Sequence, residues 1–90
     1  MKEIWAEIEG SRGQYFVSTL GRVKNSDGYI MKQRINNWGY ACISLGGYIQ
    51  RHEIKVHRLV ADTFIGGKGM VYHKNGVRDD NRVENLYRKP

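Results

Sequence analysis

Turn signals recur along this chain at intervals too short for any long element: Gly10-Ser11-Arg12-Gly13, Leu20-Gly21, Asn25-Ser26-Asp27-Gly28, Asn36-Asn37, Gly46-Gly47, Gly66-Gly67 and Asn75-Gly76. Glycine takes up positive φ without steric penalty, and Asn and Asp side chains bond their own backbone, so each cluster reverses the chain rather than extending it. Eleven glycines and one proline in ninety residues confine the fold to short strands and short helices. A chain of this length holds one core, which predicts a single small α+β domain over residues 1–90, built of antiparallel hairpins and one short helix.

Between the turns, side-chain period assigns the elements. Tyr15, Phe16 and Val17 are strong strand formers and predict a strand over 14–19. Arg22-Val23-Lys24 and Tyr29-Ile30-Met31 flank the Asn25 to Gly28 turn as a small antiparallel meander. Residues 3–9 are too few to assign, although Ile4, Ala6 and Ile8 share a side if extended. Tyr40 to Leu45 alternates, with Ala41, Ile43 and Leu45 on one face, and Tyr48 to Val56 sets Tyr48, Ile54 and Val56 against Arg51, Glu53 and Lys55. At Val56 the period changes. Val56, Leu59, Val60 and Phe64 make a helical stripe, predicting a helix over 57–65 that Gly66-Gly67 ends. Met70 to His73 reads as a short strand before the Asn75-Gly76 turn and a polar segment that closes on Leu86-Tyr87.

Fifteen Lys and Arg against nine Asp and Glu give a net charge of +6. Lys2 against Glu3, Glu7 and Glu9 leaves the first ten residues at −2, so the remainder carries +8. Arg22, Lys24, Lys32, Arg34, Arg51, Lys55, Arg58, Lys74, Arg78 and Arg82 are spread among turns and aromatics, as expected of a surface that tracks a nucleic-acid backbone. The plainer alternative is that Arg22, Lys24, Lys32 and Arg34 solvate a sheet edge. Trp5 and Trp38 read as core or edge-packing residues rather than base-stacking platforms. The lone Cys42 excludes an internal disulfide framework and a cysteine-rich zinc module, and its apolar run predicts a small buried side chain. No run has the pattern of a signal peptide or the length to span a bilayer, so the expectation is a cytoplasmic protein without membrane association.

His73 is the residue most suited to chemistry. It follows the apolar pair Met70-Val71 and precedes a turn, which holds its ring at a strand end facing a groove, where a neutral imidazole can take a proton from water. Asn75-Gly76 returns the chain toward that groove, and Asn81 and Asn85 can bond backbone on either side to fix an irregular loop. His57 is read as a packing or capping residue, and His52 as a strand residue.

These residues in this order resemble the HNH homing endonucleases of phages and introns, a branch of the His-Me finger superfamily. Trp5-Ala6-Glu7-Ile8, Tyr15-Phe16-Val17-Ser18 and Gly21-Arg22-Val23 are similar to the small module that precedes the nuclease domain in that family. Gly39-Tyr40 and Val56-His57-Arg58-Leu59-Val60-Ala61 with Phe64 are similar to its middle. The resemblance implies a nuclease-associated module over 1–35 and an HNH-like part over 36–90 that forms a partial ββα-metal finger, stopping after the paired asparagines without the final helix. It implies His73 as general base, with Asn75, Gly76, Asn81 and Asn85 supporting the site. It also implies double-stranded DNA as partner, a phage-type protein in a bacterial host, and Mg²⁺ or Mn²⁺ if the chain is catalytically active.

Two departures bear on the metal. Tyr72 stands where the family has Asp or Asn as a ligand, and the chain ends at Pro90. The ligand set is therefore unknown from sequence. Asp79 and Asp80 are the candidate carboxylates, with Asp62 or a second subunit of a homodimer as further sources. Three functions stay open: a DNA-binding protein with a degenerate or weakened phosphodiesterase site, an active nicking endonuclease, and a phage protein that binds and inhibits a host protein.

Overall fold

The computed structural model describes residues 2–89. The first turn-bounded runs pair as one antiparallel sheet: β1 (Trp5–Glu7), β2 (Tyr15–Ser18) and β3 (Val23–Asn25), with Ala6 opposite Val17 and Val17 opposite Val23. The meander is shorter than expected. Tyr29-Ile30-Met31 adds only an isolated bridge from Ile30 to Lys24, because the Asn25 side chain accepts from the backbone N–H groups of Asp27 and Tyr29 and keeps the segment in a turn.

A second sheet holds β4 (Arg34–Ile35), β5 (Ala41–Leu45) and β6 (Arg51–Lys55). Ala41, Ile43 and Leu45 are buried as the alternation requires, but Cys42 on the other face is buried too, leaving only Ser44 open. β6 begins three residues later than Tyr48 to Val56 implied. Gln50 sits at φ 41° and Glu53 at φ 55°, and the pairing register shifts between Ile43 and Leu45, so a bulge interrupts the alternation and Tyr48 stays exposed.

The helix starts where the period changed. α1 (Val56–Val60) buries Val56, His57, Leu59 and Val60, and Arg58 stays out. Ala61–Ile65 continues it as a wider π-type turn, closed by the Gly66 N–H donating to the Ala61 carbonyl at 2.8 Å. β7 (Met70–His73) then pairs with β8 (Leu86–Lys89), placing His73 opposite Leu86, with a 3₁₀ turn at Val83–Asn85 leading into β8. The polar tail is thus a strand. Arg88 anchors it by donating to the carbonyls of Gly67 and Gly69 and pairing with Asp62.

One buried cluster joins all three sheets to the helix, running from Ile8, Val17 and Val23 through Ile43, Leu45 and Ile54 to Val56, Val60 and Leu86. The first sheet also meets the β7–β8 finger directly. Val83 N–H donates to the Thr19 carbonyl at 2.7 Å, and a Cβ placed on Gly21 would fall 2.9 Å from both the Cβ and the carbonyl oxygen of Asn81. Gly21 has φ +84°, so that turn needs glycine for its backbone and for its closeness. No helix among the described residues is long and apolar enough to cross a membrane.

Candidate functional site

The β7–β8 finger is closed by amide side chains rather than by apolar packing. Asn85, buried at 5% exposure, donates from Nδ2 to Asn75 Oδ1 at 2.9 Å and to the Asp80 carbonyl at 2.9 Å, and accepts the Asn75 backbone N–H at 3.1 Å. Asn75 Oδ1 also accepts from the Val77 N–H, and Lys74 N–H donates to the Asn85 carbonyl. Gly76 completes the turn at φ +74°. Each asparagine presents a donor and an acceptor at once, which is what a loop with unpaired backbone groups requires.

This frame holds His73 at the end of β7. Its Nε2 lies 2.7 Å from Oδ1 of Asn81, a side chain only 4% exposed, so Nε2 carries the proton and donates it to the amide oxygen. The lone pair is then on Nδ1, the one ring nitrogen left to accept a proton. Asn81 Nδ2 is buried without a partner. His73, Tyr40, Val71, Tyr72, Gly76 and Arg78 line a groove of about 240 Å³.

Behind His73 stands a ring that the sequence suggested only as a packing or capping residue. His57 is 5% exposed, its centroid 4.9 Å from Tyr40 and 5.2 Å from His73, and its Nδ1 has no partner. Burial first, and then the neighbouring His73, Arg58 and Lys55, push its pKa down to about 4, so it is a neutral ring at physiological pH. Tyr40, 6.2 Å from His73, was not singled out either, although Gly39-Tyr40 lay in the matching middle block. Its guanidinium partner was named: Arg78 lies 5.3 Å above the Tyr40 ring and donates to the Trp38 carbonyl.

The basic residues divide. Arg22 is paired with Glu3, Arg34 with Glu53, and Arg82 with both Asp80 and Glu84. Lys24 rests 4.2 Å from the centroid of the half-buried Trp5 ring. Lys32, Arg51, Arg58, Lys74 and Arg78 are exposed and Lys55 is half-buried, with none of them in an ion pair among the described residues. Arg78 lines the groove and Lys74 follows His73 in the chain; Arg51 instead lines a separate cleft with Glu7, Glu9 and Asp62. Trp38, expected to pack, is 67% exposed.

The donors around His73 do not suit a divalent cation. Both Asp80 carboxylate oxygens are engaged, by Arg82 and by Asn75 Nδ2, and the Arg82 guanidinium holds its carboxyl well below the usual range. Asp62 is taken by Arg88, and Asp79 is exposed next to an Asp80 that is already engaged. The Asn75, Asn81 and Asn85 side-chain oxygens are all accepting hydrogen bonds within the finger or from His73. Among the described residues no group of three or more His, Cys, Asp or Glu side chains could hold a metal.

Comparison with known proteins places this geometry. Residues 3–46 match the family model of the NUMOD4 motif. The chain is 41% identical to an uncharacterized HNH endonuclease of Acanthamoeba polyphaga mimivirus, over 93% of this chain and 23% of that protein. It is 38% identical to DNA endonuclease I-HmuI of Bacillus phage SP01, over 91% of this chain and 49% of that enzyme. A solved structure of DNA binding and cleavage by the HNH homing endonuclease I-HmuI superposes with a TM-score of 0.82 at 37% identity, covering 92% of this chain and 50% of that one. The chain spans about half the length of the phage enzyme and less than a quarter of the mimivirus protein.

Proposed function

We infer that this chain, HNH homing-endonuclease-like and matching the NUMOD4 motif over residues 3–46, binds duplex DNA along the His73 groove with a phosphodiesterase site reduced to its base. The observation that carries this reading is the pairing of an intact His73–Asn81 contact with an Asp80 already taken by Arg82 and Asn75. Arg78 in the groove wall and the exposed Lys74 that follows His73 supply cations to phosphates. His73 would take a proton from water at Nδ1, and Asn81 would hold the resulting imidazolium through Nε2. A hard divalent cation would neutralise the scissile phosphate, but the described oxygens give it no free set and no step is assigned through it.

Duplex DNA retention measured against salt tests the binding. The binding constant should fall linearly on a log-log plot, with a slope lowered by about 1 in Arg78→Ala or in Lys74→Ala. Retention that ignores salt would remove DNA as the partner. The second reading, an active nicking enzyme, is favoured by the free Nδ1 of His73. Supercoiled plasmid incubated with Mg²⁺ or Mn²⁺ decides between them: slow or absent nicking supports the reduced site, and rapid nicking abolished by His73→Ala replaces it with the second.

A further inference from the structure

We propose that Trp38 is a base-contacting wedge, a rigidly mounted indole that stacks on an exposed base or enters a base step of the bound duplex beside the His73 groove. The inference deepens the DNA-binding reading and rests on it. Trp38 is 67% exposed, and it is the turn carrying it that is held in place. Asn36 Oδ1 accepts the backbone N–H groups of Trp38 at 2.9 Å and Tyr40 at 3.0 Å, and Gly39 N–H donates to the Asn36 carbonyl at 3.1 Å, so the turn between β4 and β5 is fixed from within. Arg78 then ties the turn to the finger, donating to the Trp38 carbonyl while lying over Tyr40, whose ring is in turn 6.2 Å from His73. A backbone turn already held by its own hydrogen bonds loses little conformational freedom on binding.

The charge around it selects the partner. Arg78 contacts the Trp38 turn, is exposed and is in no ion pair among the described residues, so an apolar protein surface would have to bury an unpaired cation that a phosphate backbone would pair. Stacking on an aromatic side chain contributes about 1–3 kcal/mol per base and is tolerant of sequence, because every base has a π-face. Insertion between steps uses the same chemistry at the expense of local unstacking. Trp5, by contrast, has its ring under Lys24 and Arg22 and offers no such face.

The test uses the full chain with Trp5→Phe, which leaves Trp38 as the single tryptophan, and sonicated calf-thymus DNA as the probe. Titration should quench Trp38 emission and shield it from acrylamide. Adding Trp38→Ala should weaken binding about tenfold relative to Trp5→Phe alone without changing the salt slope, and Trp38→Phe should recover most of the loss. Trp38 emission unchanged at saturating DNA, or full affinity in Trp38→Ala, overturns the proposal while leaving DNA binding in place. Failure of the Trp5→Phe and unsubstituted chains alike to retain DNA overturns the functional reading and the wedge together.

Discussion

Asn75 and Asn85 bond each other in both directions, Asn75 N–H donating to Asn85 Oδ1 at 3.1 Å and Asn85 Nδ2 donating to Asn75 Oδ1 at 2.9 Å. Ten residues of turn hang on that exchange. Asn85→Ala removes three hydrogen bonds and leaves the Asn75 N–H and the Asp80 carbonyl without this partner, so urea denaturation should show a loss of about 2–3 kcal/mol. Asn85→Asp keeps the acceptor but not the donor and should fall between. A midpoint equal to wild type for Asn85→Ala would mean the finger is held by something else.

Gly21→Ala tests the seam between the first sheet and the finger. The added methyl would strain a φ of +84° and meet Asn81 Cβ and carbonyl oxygen at 2.9 Å, so the loss should exceed about 2 kcal/mol and disturb the His73 ring signals in NMR. Gly28→Ala is the matched comparison, since φ is +86° there with nothing within 4 Å of the new atom. It should lose about 1 kcal/mol and leave His73 unmoved. Equal losses at the two positions would show that backbone strain alone, and no contact with Asn81, sets the value.

Acid stability reads the buried ring beside His73. His57 has a folded pKa near 4 against about 6.5 when unfolded, so the unfolded chain binds the extra proton. Its contribution is therefore full above pH 6.5 and is lost as pH falls through the window toward 4, amounting to roughly 2–3 kcal/mol at the lower end. Unfolding free energies measured across that window should slope down in wild type and flatten in His57→Phe, whatever the absolute stability of the variant. Parallel curves for the two proteins would place the titration elsewhere.

Tyr72→Asp tests whether a carboxylate at residue 72 gives the His73 groove a metal ligand. Tyr72 is exposed, stacks on Tyr87 at 5.4 Å and offers a phenol where a hard cation prefers a carboxylate. A free carboxylate beside His73 should raise Mn²⁺-dependent plasmid nicking by about tenfold or more, with dependence on His73 retained. No gain, with the fold intact by circular dichroism, would shift the deficit from residue 72 to the neighbours of Asp80.

Much of this arrangement was legible before any coordinates, because turns and periods are local. The glycine and asparagine clusters mark the reversals, the change of period at Val56 marks the helix, and His73 with its asparagines marks the loop. What escaped depended on distant partners. The strand at Leu86–Lys89 looked like a polar tail since nothing local says that Arg88 will find Asp62 and the Gly67 and Gly69 carbonyls. His57 and Tyr40 meet His73 only because β5, α1 and β7 converge. Trp38 was expected to pack on the strength of its size, and no nearest-neighbour pattern shows that it stays exposed.

The Thr19-Leu20-Gly21 turn touches Asn81-Val83, so a stretch matched as a separate motif supplies one wall of the loop that steadies His73. In this chain the motif and the finger are therefore not interchangeable parts: a stretch put in place of residues 3–46 would have to bring a turn as slim as Gly21 to meet Asn81, or the loop around His73 would shift.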